Sequence, residues 1–264
     1  MNVIALTPWD LTMAAGLMLM MAVSSIWLRL GLGKQIIIAG LRTTIQLFLI
    51  GFILKVLFEQ THLGWISLLA MVMLLVAGRE VMARQKRRFG GWWGFGLGTL
   101  SMFVSSFSIT VIVLLVIIQN DPWYQPQYAI PLLGMMLGNT MTGIALALDR
   151  LTDSAWQQRG VIESRLLLGH HWRIAIRDMA RDSVRVGLVP MINAMAAAGL
   201  VSLPGMMTGQ ILSGTPPLEA VKYQILIMFM ITAGTGFATM GAVWIGARRL
   251  FDERQRLRLE RISK

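Results

Sequence analysis

The chain has 264 residues, 55% hydrophobic and only 14% charged, with a formal net charge of +11. Soluble domains carry about 25% charged residues, so a water-facing globular domain is excluded and the class is an all-α, polytopic transmembrane protein. The absence of cysteine excludes disulfides and thiolate metal sites. The positive charges fall into alternate loops, as membrane orientation requires, which argues against a nucleic-acid surface.

Thr7-Pro8-Trp9-Asp10 spells a helix start, with Thr7 as cap, proline in the first turn and an acidic residue three positions on. A first span over Leu11–Leu28 follows. No lysine or arginine precedes it and it is long enough to cross a bilayer, so it is expected to stay as an anchor. Gly31 and Gly33, between Arg29 and Lys34, break the helix. The second span, Gln35–Phe58, carries Arg42, Thr43, Thr44 and Gln46 near its start. Arg42 either snorkels to the cytoplasmic interface or acts as an internal counter-charge.

The third span, Leu63–Gly78, leads into a basic loop with Arg79, Arg84, Lys86, Arg87 and Arg88. The fourth begins near Trp92 and ends near Ile118. Gly90, Gly94 and Gly98 share a face that permits close helix approach, and Ser101, Ser105 and Ser108 continue near it. Asn120 to Pro131 reads as an outer loop whose Trp123, Tyr124 and Tyr128 suit a membrane interface.

The fifth span, Leu132–Leu148, holds the most polar, glycine-rich stretch of any span: Gly134, Gly138, Asn139, Thr140, Thr142 and Gly143. An asparagine in hydrocarbon needs a partner. These residues are therefore candidates for a pathway or a dimer interface, or else helix–helix glue.

Asp149 to Arg185 is the longest polar segment between two apolar ones. Read as one helix, Ile162, Leu166, Gly169, Trp172, Ile176 and Met179 form an apolar stripe. Arg173, Arg177, Arg181 and Arg185 make a basic ridge at every fourth residue. Such a ridge suits anionic headgroups or an acidic protein surface, or simply marks the cytoplasmic side. A short cytoplasmic helix over Glu163–Met179 is expected. A sixth span, Val186–Leu203, contains Pro190 and Asn193. Ser202–Pro217 is full of breakers and reads as an outer loop or a re-entrant turn. The seventh span, Leu218–Ala247, has a small-residue stripe at Gly234, Ala238, Ala242 and Gly246, and a charged tail closes the chain. Of the 24 Lys and Arg, only Lys55 and Lys222 fall on the outer side of this topology. The N-terminus is then periplasmic and the C-terminus cytoplasmic.

No phosphate-binding G-x-x-x-x-G-K-[ST] is present, so the chain is not its own P-loop ATPase, and no catalytic set emerges that would make it an enzyme. His62, His170 and His171 form no chelating pair, and no metal-ligand set can be named. The 13 carboxylates fall in loops or at span ends, which weakens proton or sodium coupling by a stand-alone secondary transporter. Met135, Met136, Met141, Met191 and Met195 are read as packing groups, although thioethers also suit soft metals. What remains is a membrane subunit with a docking segment and no energy source of its own.

Glu163-Ser-Arg-Leu-Leu-Leu-Gly169 places a glutamate six residues before a glycine, which resembles the coupling motif of ABC permeases, with Ser164-Arg165 in place of two alanines. A wider match rests on Arg42-Thr-Thr-Ile-Gln46-Leu47 with Gly51, on Pro131 through Gly143, on Glu163 through Gly169, and on Leu203 through Gly214. Over nearly its whole length the chain resembles the FetB-type permease family, which includes bacterial iron-export permeases and plant permeases linked to aluminium tolerance. The resemblance implies a single permease domain over 1–264 with a cytoplasmic coupling segment at 150–185. It also implies an inner-membrane location, a separate P-loop ATPase that binds ATP and Mg, no cofactor on this chain, and a two-plus-two assembly around a permease homodimer. Iron export and oxidative-stress resistance are the implied physiology, and a nucleotide sugar or other small solute the alternative cargo. The candidate coupling residues are Glu163, Gly169, Trp172, Arg173 and Arg177. The pathway or interface candidates are Arg42, Gln46, Gly134, Gly138, Asn139, Thr140 and Thr142.

Overall fold

The computed structural model describes residues 7–59 and 62–263. The chain folds as two compact units, Met1–His62 with Leu212–Gly214, and Leu63–Ile211 with Thr215–Lys264.

The first unit is a helix pair. Helix α1 (Pro8–Trp27) starts as its sequence requires: the Asp10 carboxylate accepts the Thr7 N–H at 2.8 Å and the Thr7 hydroxyl at 2.8 Å. A turn with Arg29 and Gly31 in the left-handed region leads to α2 (Gly33–Glu59). The two helices meet closely where Met18 lies over Gly40 and Ile26 lies 2.8 Å from where a Gly33 side chain would begin.

The second unit is a bundle around one long helix. Helices α3 (Leu63–Ala83) and α4 (Trp92–Met102) pack through Gly78, Gly94 and Gly98, where added side chains would strike Thr99, the Phe89 carbonyl and Val81. The α4 helix runs on through a π-turn (Phe103–Phe107), α5 (Ser108–Ile112) and a second π-turn (Val113–Ile118). Helix α6 (Pro126–Gln157) presents Leu133, Leu137, Ile144, Leu148 and Leu151 to the core at helical spacing. Helix α11 (Pro217–Arg249) answers with the small-residue stripe: Gly234 lies under Met136, and Gly246 is 3.2 Å, measured from an added Cβ, from both Leu148 and Leu151. Ser105 in the first π-turn donates to the Gly234 carbonyl at 2.7 Å.

Helices α7 (Arg159–Leu167), α8 (Trp172–Ala175), α9 (Arg177–Ala197) and α10 (Gly205–Leu212) complete the set. The expected single helix over Glu163–Met179 is not formed. The chain breaks at Gly169, whose φ of +84° leaves the right-handed region. Most of the apolar stripe is buried all the same, because the pieces fold back onto one core: Ile162 on α7, Trp172 on α8, then Ile176 and Met179 at the start of α9, with Leu166 partly buried and Gly169 exposed.

Among the described residues, six helical segments are long and apolar enough to cross a membrane, one of them Trp92–Ile118, which matches the expected fourth span. The expected sixth span lies in α9, but that helix opens with Arg177, Asp178, Arg181, Asp182 and Arg185 and ends at Ala197. Its apolar part, 186–197, is shorter than the ~20 residues of a straight span. The expected outer loop at Asn120–Pro131 is shorter than anticipated, since α6 already begins at Pro126 and carries Pro131 inside it.

The charged tail is folded. Strand β2 (Ile262–Ser263) pairs antiparallel with β1 (Arg88–Phe89), and Arg258 N–H donates to the Leu250 carbonyl at 2.7 Å. Leu250, Phe251 and Ile262 enter the same core as Phe89, Leu151, Ile162 and Trp172.

Candidate functional site

The basic end of the second unit carries a protruding tip. Helix α7 ends in a two-bond cap: Gly169 N–H donates to the Leu166 carbonyl at 3.0 Å and His170 N–H to the Arg165 carbonyl at 3.1 Å. This pattern requires a left-handed residue after the helix end, which glycine supplies without strain. His171 then turns extended and caps α8, its Nδ1 accepting the Arg173 N–H at 3.3 Å. The turn throws Leu167 and Leu168 outward, 89% and 78% exposed, with Ile174, Glu163, His170 and Arg173 exposed around them.

Beneath the tip the seat is closely tied. Trp172 is buried; its N–H donates to Gln255 Oε1 at 3.0 Å and its ring stands 5.7 Å from Phe251. The Arg173 and Arg248 guanidinium groups each lie 5.5 Å from that ring. Arg165 joins α7 to the next turn through the Ala175 carbonyl at 3.2 Å and Asp178 at 2.9 Å. From the other side, Arg150 pairs with Asp182 at 2.7 Å, Lys86 N–H donates to Asp149 at 2.6 Å, and Thr152 donates to the Arg87 carbonyl at 2.8 Å. Asp252 holds the tail by accepting the Arg256 N–H at 2.8 Å and Arg258 Nε at 3.1 Å. Those bonds, the Arg256 backbone bond first, keep its carboxyl below the ordinary aspartate value.

A second feature lies on α6. Gly138 and Asn139 are exposed and Thr142 is half-buried beside them. Asn139 Nδ2 donates to the Met135 carbonyl at 2.8 Å, Thr142 Oγ1 to the Gly138 carbonyl at 3.1 Å, and Arg84 reaches the Thr142 hydroxyl at 3.5 Å. No Cβ placed at Gly138 would meet another atom within 4 Å. This is a small, polar surface in the middle of a membrane-length helix.

The family model described as "Uncharacterised protein family (UPF0014)" matches residues 8–251. The chain belongs to the UPF0014 family. It is 40% identical to the UPF0014 membrane protein slr1647 of Synechocystis over 88% of this chain and 88% of that protein. It is 36% identical to the UPF0014 membrane protein STAR2 of rice, over 82% of this chain and 74% of that one. The probable iron export permease protein FetB of Escherichia coli is 30% identical over 89% of both chains. No solved structure matches. With its apolar helices and these relatives, the UPF0014 chain is a membrane protein.

The structure distributes the expected site residues of this UPF0014 protein unevenly. Glu163, Gly169 and Arg173 lie at the tip, while Trp172 sits beneath it and Arg177 points along a groove beside it. Arg173 belongs to α8 and is separated from the Arg177, Arg181 and Arg185 ridge of α9 by the break at Ile176. On α6, Gly138, Asn139 and Thr142 come together, but Thr140 is fully buried near Ser106 and Gly134 faces Met73. Arg42 and Gln46 are exposed one turn apart on α2. Met136 and Met191 are buried in an apolar cluster that Met135 and Met195 join, and Met195 accepts a hydrogen bond from Thr232 at 2.8 Å. No cluster of three or more His, Cys, Asp or Glu able to hold a metal occurs among the described residues.

Sequence reasoning passed over Leu167 and Leu168. Three consecutive leucines, Leu166 to Leu168, carried the signal, because successive residues of a helix point some 100° apart and cannot all face one core.

Proposed function

We propose that this UPF0014 protein is the permease subunit of an ABC transporter, exporting iron across the bacterial inner membrane with energy from a separate P-loop ATPase. The observation that carries the reading is the tip: exposed leucines held on a glycine turn whose underside is anchored in the core shared by α6, α9, α11 and the tail. An exposed apolar knob rimmed by charge is what a partner's cleft accepts. Force applied there reaches α6 and α11 through Ile162, Trp172 and Ile176, all in contact with that core. ATP and Mg are bound by the partner. The basic end faces the cytoplasm, since positive charge stays inside, and the N-terminus is periplasmic. Two permeases and two ATPases assemble, with the polar face of α6 at the dimer axis or along the pathway. The relative named a probable iron export permease points to iron as cargo, with metal homeostasis and resistance to oxidative stress as the setting.

Leu168→Asp tests the coupling. The residue is exposed, so the permease is expected to accumulate normally, while copurification with the ATPase and cargo-stimulated ATP hydrolysis fall at least tenfold. Unchanged coupling in that variant removes the tip from the mechanism. Gly169→Trp is a less clean probe because its positive φ adds backbone strain.

A second reading, export of a small polar solute such as a nucleotide sugar, is favoured by the chemistry of the α6 face, which offers an amide and a hydroxyl and no carboxylate. Vesicle transport by the purified pair with labelled iron, and with a nucleotide sugar in its place, separates the two cargoes. Transport that persists without the ATPase identifies a stand-alone carrier instead.

A further inference from the structure

Helices α9 and α11 enclose an open groove of about 440 Å³ at the basic end of the second unit. Its lining is almost wholly apolar, with Val184, Met240 and Trp244 among it, and the stems of the exposed Arg177 and Arg181 run along its α9 rim. The acidic residues of α9 do not neutralise this rim. Asp178 is drawn to Arg165 and Asp182 to Arg150, at 2.9 Å and 2.7 Å. Arg177 and Arg181 have no carboxylate partner among the described residues.

Both helices change character at the groove. Along the exposed side of α9, Arg177, Arg181 and Arg185 give way to Val189 and Ile192. Along α11 an exposed apolar face of Phe229, Phe237, Met240 and Trp244 ends one turn before the exposed Arg248. A passage from hydrocarbon-like to cationic surface within one or two turns, marked by an exposed tryptophan, is the profile of a bilayer interface. Basic groups beside membrane helices at that depth attract anionic headgroups, and here the groove below the arginine rim offers an apolar bed to the chains beneath the phosphate.

We propose that this groove is a binding site for an anionic phospholipid, with its phosphate on Arg177 and Arg181 and its glycerol and upper acyl chains against Val184, Met240 and Trp244. The inference concerns this chain alone and stands whether or not the transport reading holds.

The full-length permease, stripped of lipid in a neutral detergent, is titrated with phosphatidylglycerol, with phosphatidylcholine of the same chains, and with glycerol 3-phosphate. Binding is read by native mass spectrometry. One phosphatidylglycerol per chain is expected, with phosphatidylcholine at least tenfold weaker and glycerol 3-phosphate neither bound nor able to displace the lipid. Arg177→Gln and Arg181→Gln are each expected to weaken phosphatidylglycerol binding about fivefold and together about 30-fold, from the usual attraction of one basic residue to an anionic surface. Arg181→Lys keeps the charge and most of the affinity. Both arginines are exposed, so thermal stability in detergent is unchanged in each variant. Equal binding of the two phospholipids, or undiminished binding by the double variant, overturns the site. Displacement by glycerol 3-phosphate overturns the lipid assignment in favour of a simple anion site. Protection of the groove by the ATPase, with no lipid bound in its absence, overturns it in favour of an acidic protein surface.

Discussion

Gly143 and Gly187 show how much one methyl group decides in this bundle. A Cβ at Gly143 would stand 2.7 Å from the Thr235 methyl and 3.1 Å from the Gly187 carbonyl; one at Gly187 would stand 2.6 Å from the Gly143 carbonyl. Three helices, α6, α9 and α11, meet there, and backbone cannot step aside as a flexible side chain can. Gly143→Ala and Gly187→Ala are each expected to cost about 1–3 kcal/mol, the usual range for overpacking, read as a lower melting temperature in detergent. Gly138→Ala meets no neighbouring atom of its own chain within 4 Å and should not lower that temperature in a monomeric detergent preparation. The sequence placed Gly134, Gly138 and Gly143 in one glycine-rich stretch without separating their roles. Periodicity contains part of the answer, since five residues turn an α-helix by about 140°, so Gly138 and Gly143 cannot share a face. Which face meets α9 is not contained there, because Gly187 lies far along the chain and has no motif around it.

Among the elements, the membrane-length helices were legible and the basic-end assembly was not. Continuous apolar runs report on spans without help from tertiary structure. Arginine and glutamate dominate the tail, yet Leu250, Phe251 and Ile262 reach a core whose other members come from β1, α3, α4, α6, α7, α8, α9 and α11. Irregular spacing in a short segment gives no periodic signal. The break at Gly169 was hidden for the opposite reason: spacings of three and four persist across it, since the turn returns the chain to the same core. Tail docking should depend on pH through Asp252. Its carboxyl is held below the ordinary aspartate value by hydrogen bonds that exist only in the folded tail. A depressed carboxyl stabilises fully above its unfolded value, about 4, and loses that contribution as pH falls through the lower folded value. Hydrogen exchange at residues 250–262 is therefore expected to quicken, relative to its intrinsic rate, below about pH 4. Asp252→Asn should show the faster exchange already at neutral pH. Identical protection in the variant and the parent would remove Asp252 as the anchor.

For the whole molecule, the exposed surface separates what lipid covers from what something else must cover. The exposed side chains of Phe229 and Phe237 on α11 are apolar groups that hydrocarbon covers without cost. Gly138 and Asn139 on α6 are not, because an amide edge beside bare backbone gains little from hydrocarbon. Small residues that let backbones approach, next to a polar side chain that can bond across, characterise helix pairing within membranes, and a homodimer places the same face of both copies together. The absence of cysteine makes this directly measurable, since Gly138→Cys introduces the only thiol in the chain. Added side-chain atoms there meet nothing within the chain itself, so the variant should fold and reach the membrane normally. If α6 lies at the dimer axis, mild oxidation joins two copies into a disulfide-linked dimer in native membranes, and a membrane-impermeant maleimide labels the thiol poorly. If the face lines a water-filled pathway, the maleimide labels it and cargo in excess slows the labelling. Neither crosslinking nor labelling would mean that lipid covers Gly138, and α6 would then lose its place in both the dimer and the pathway.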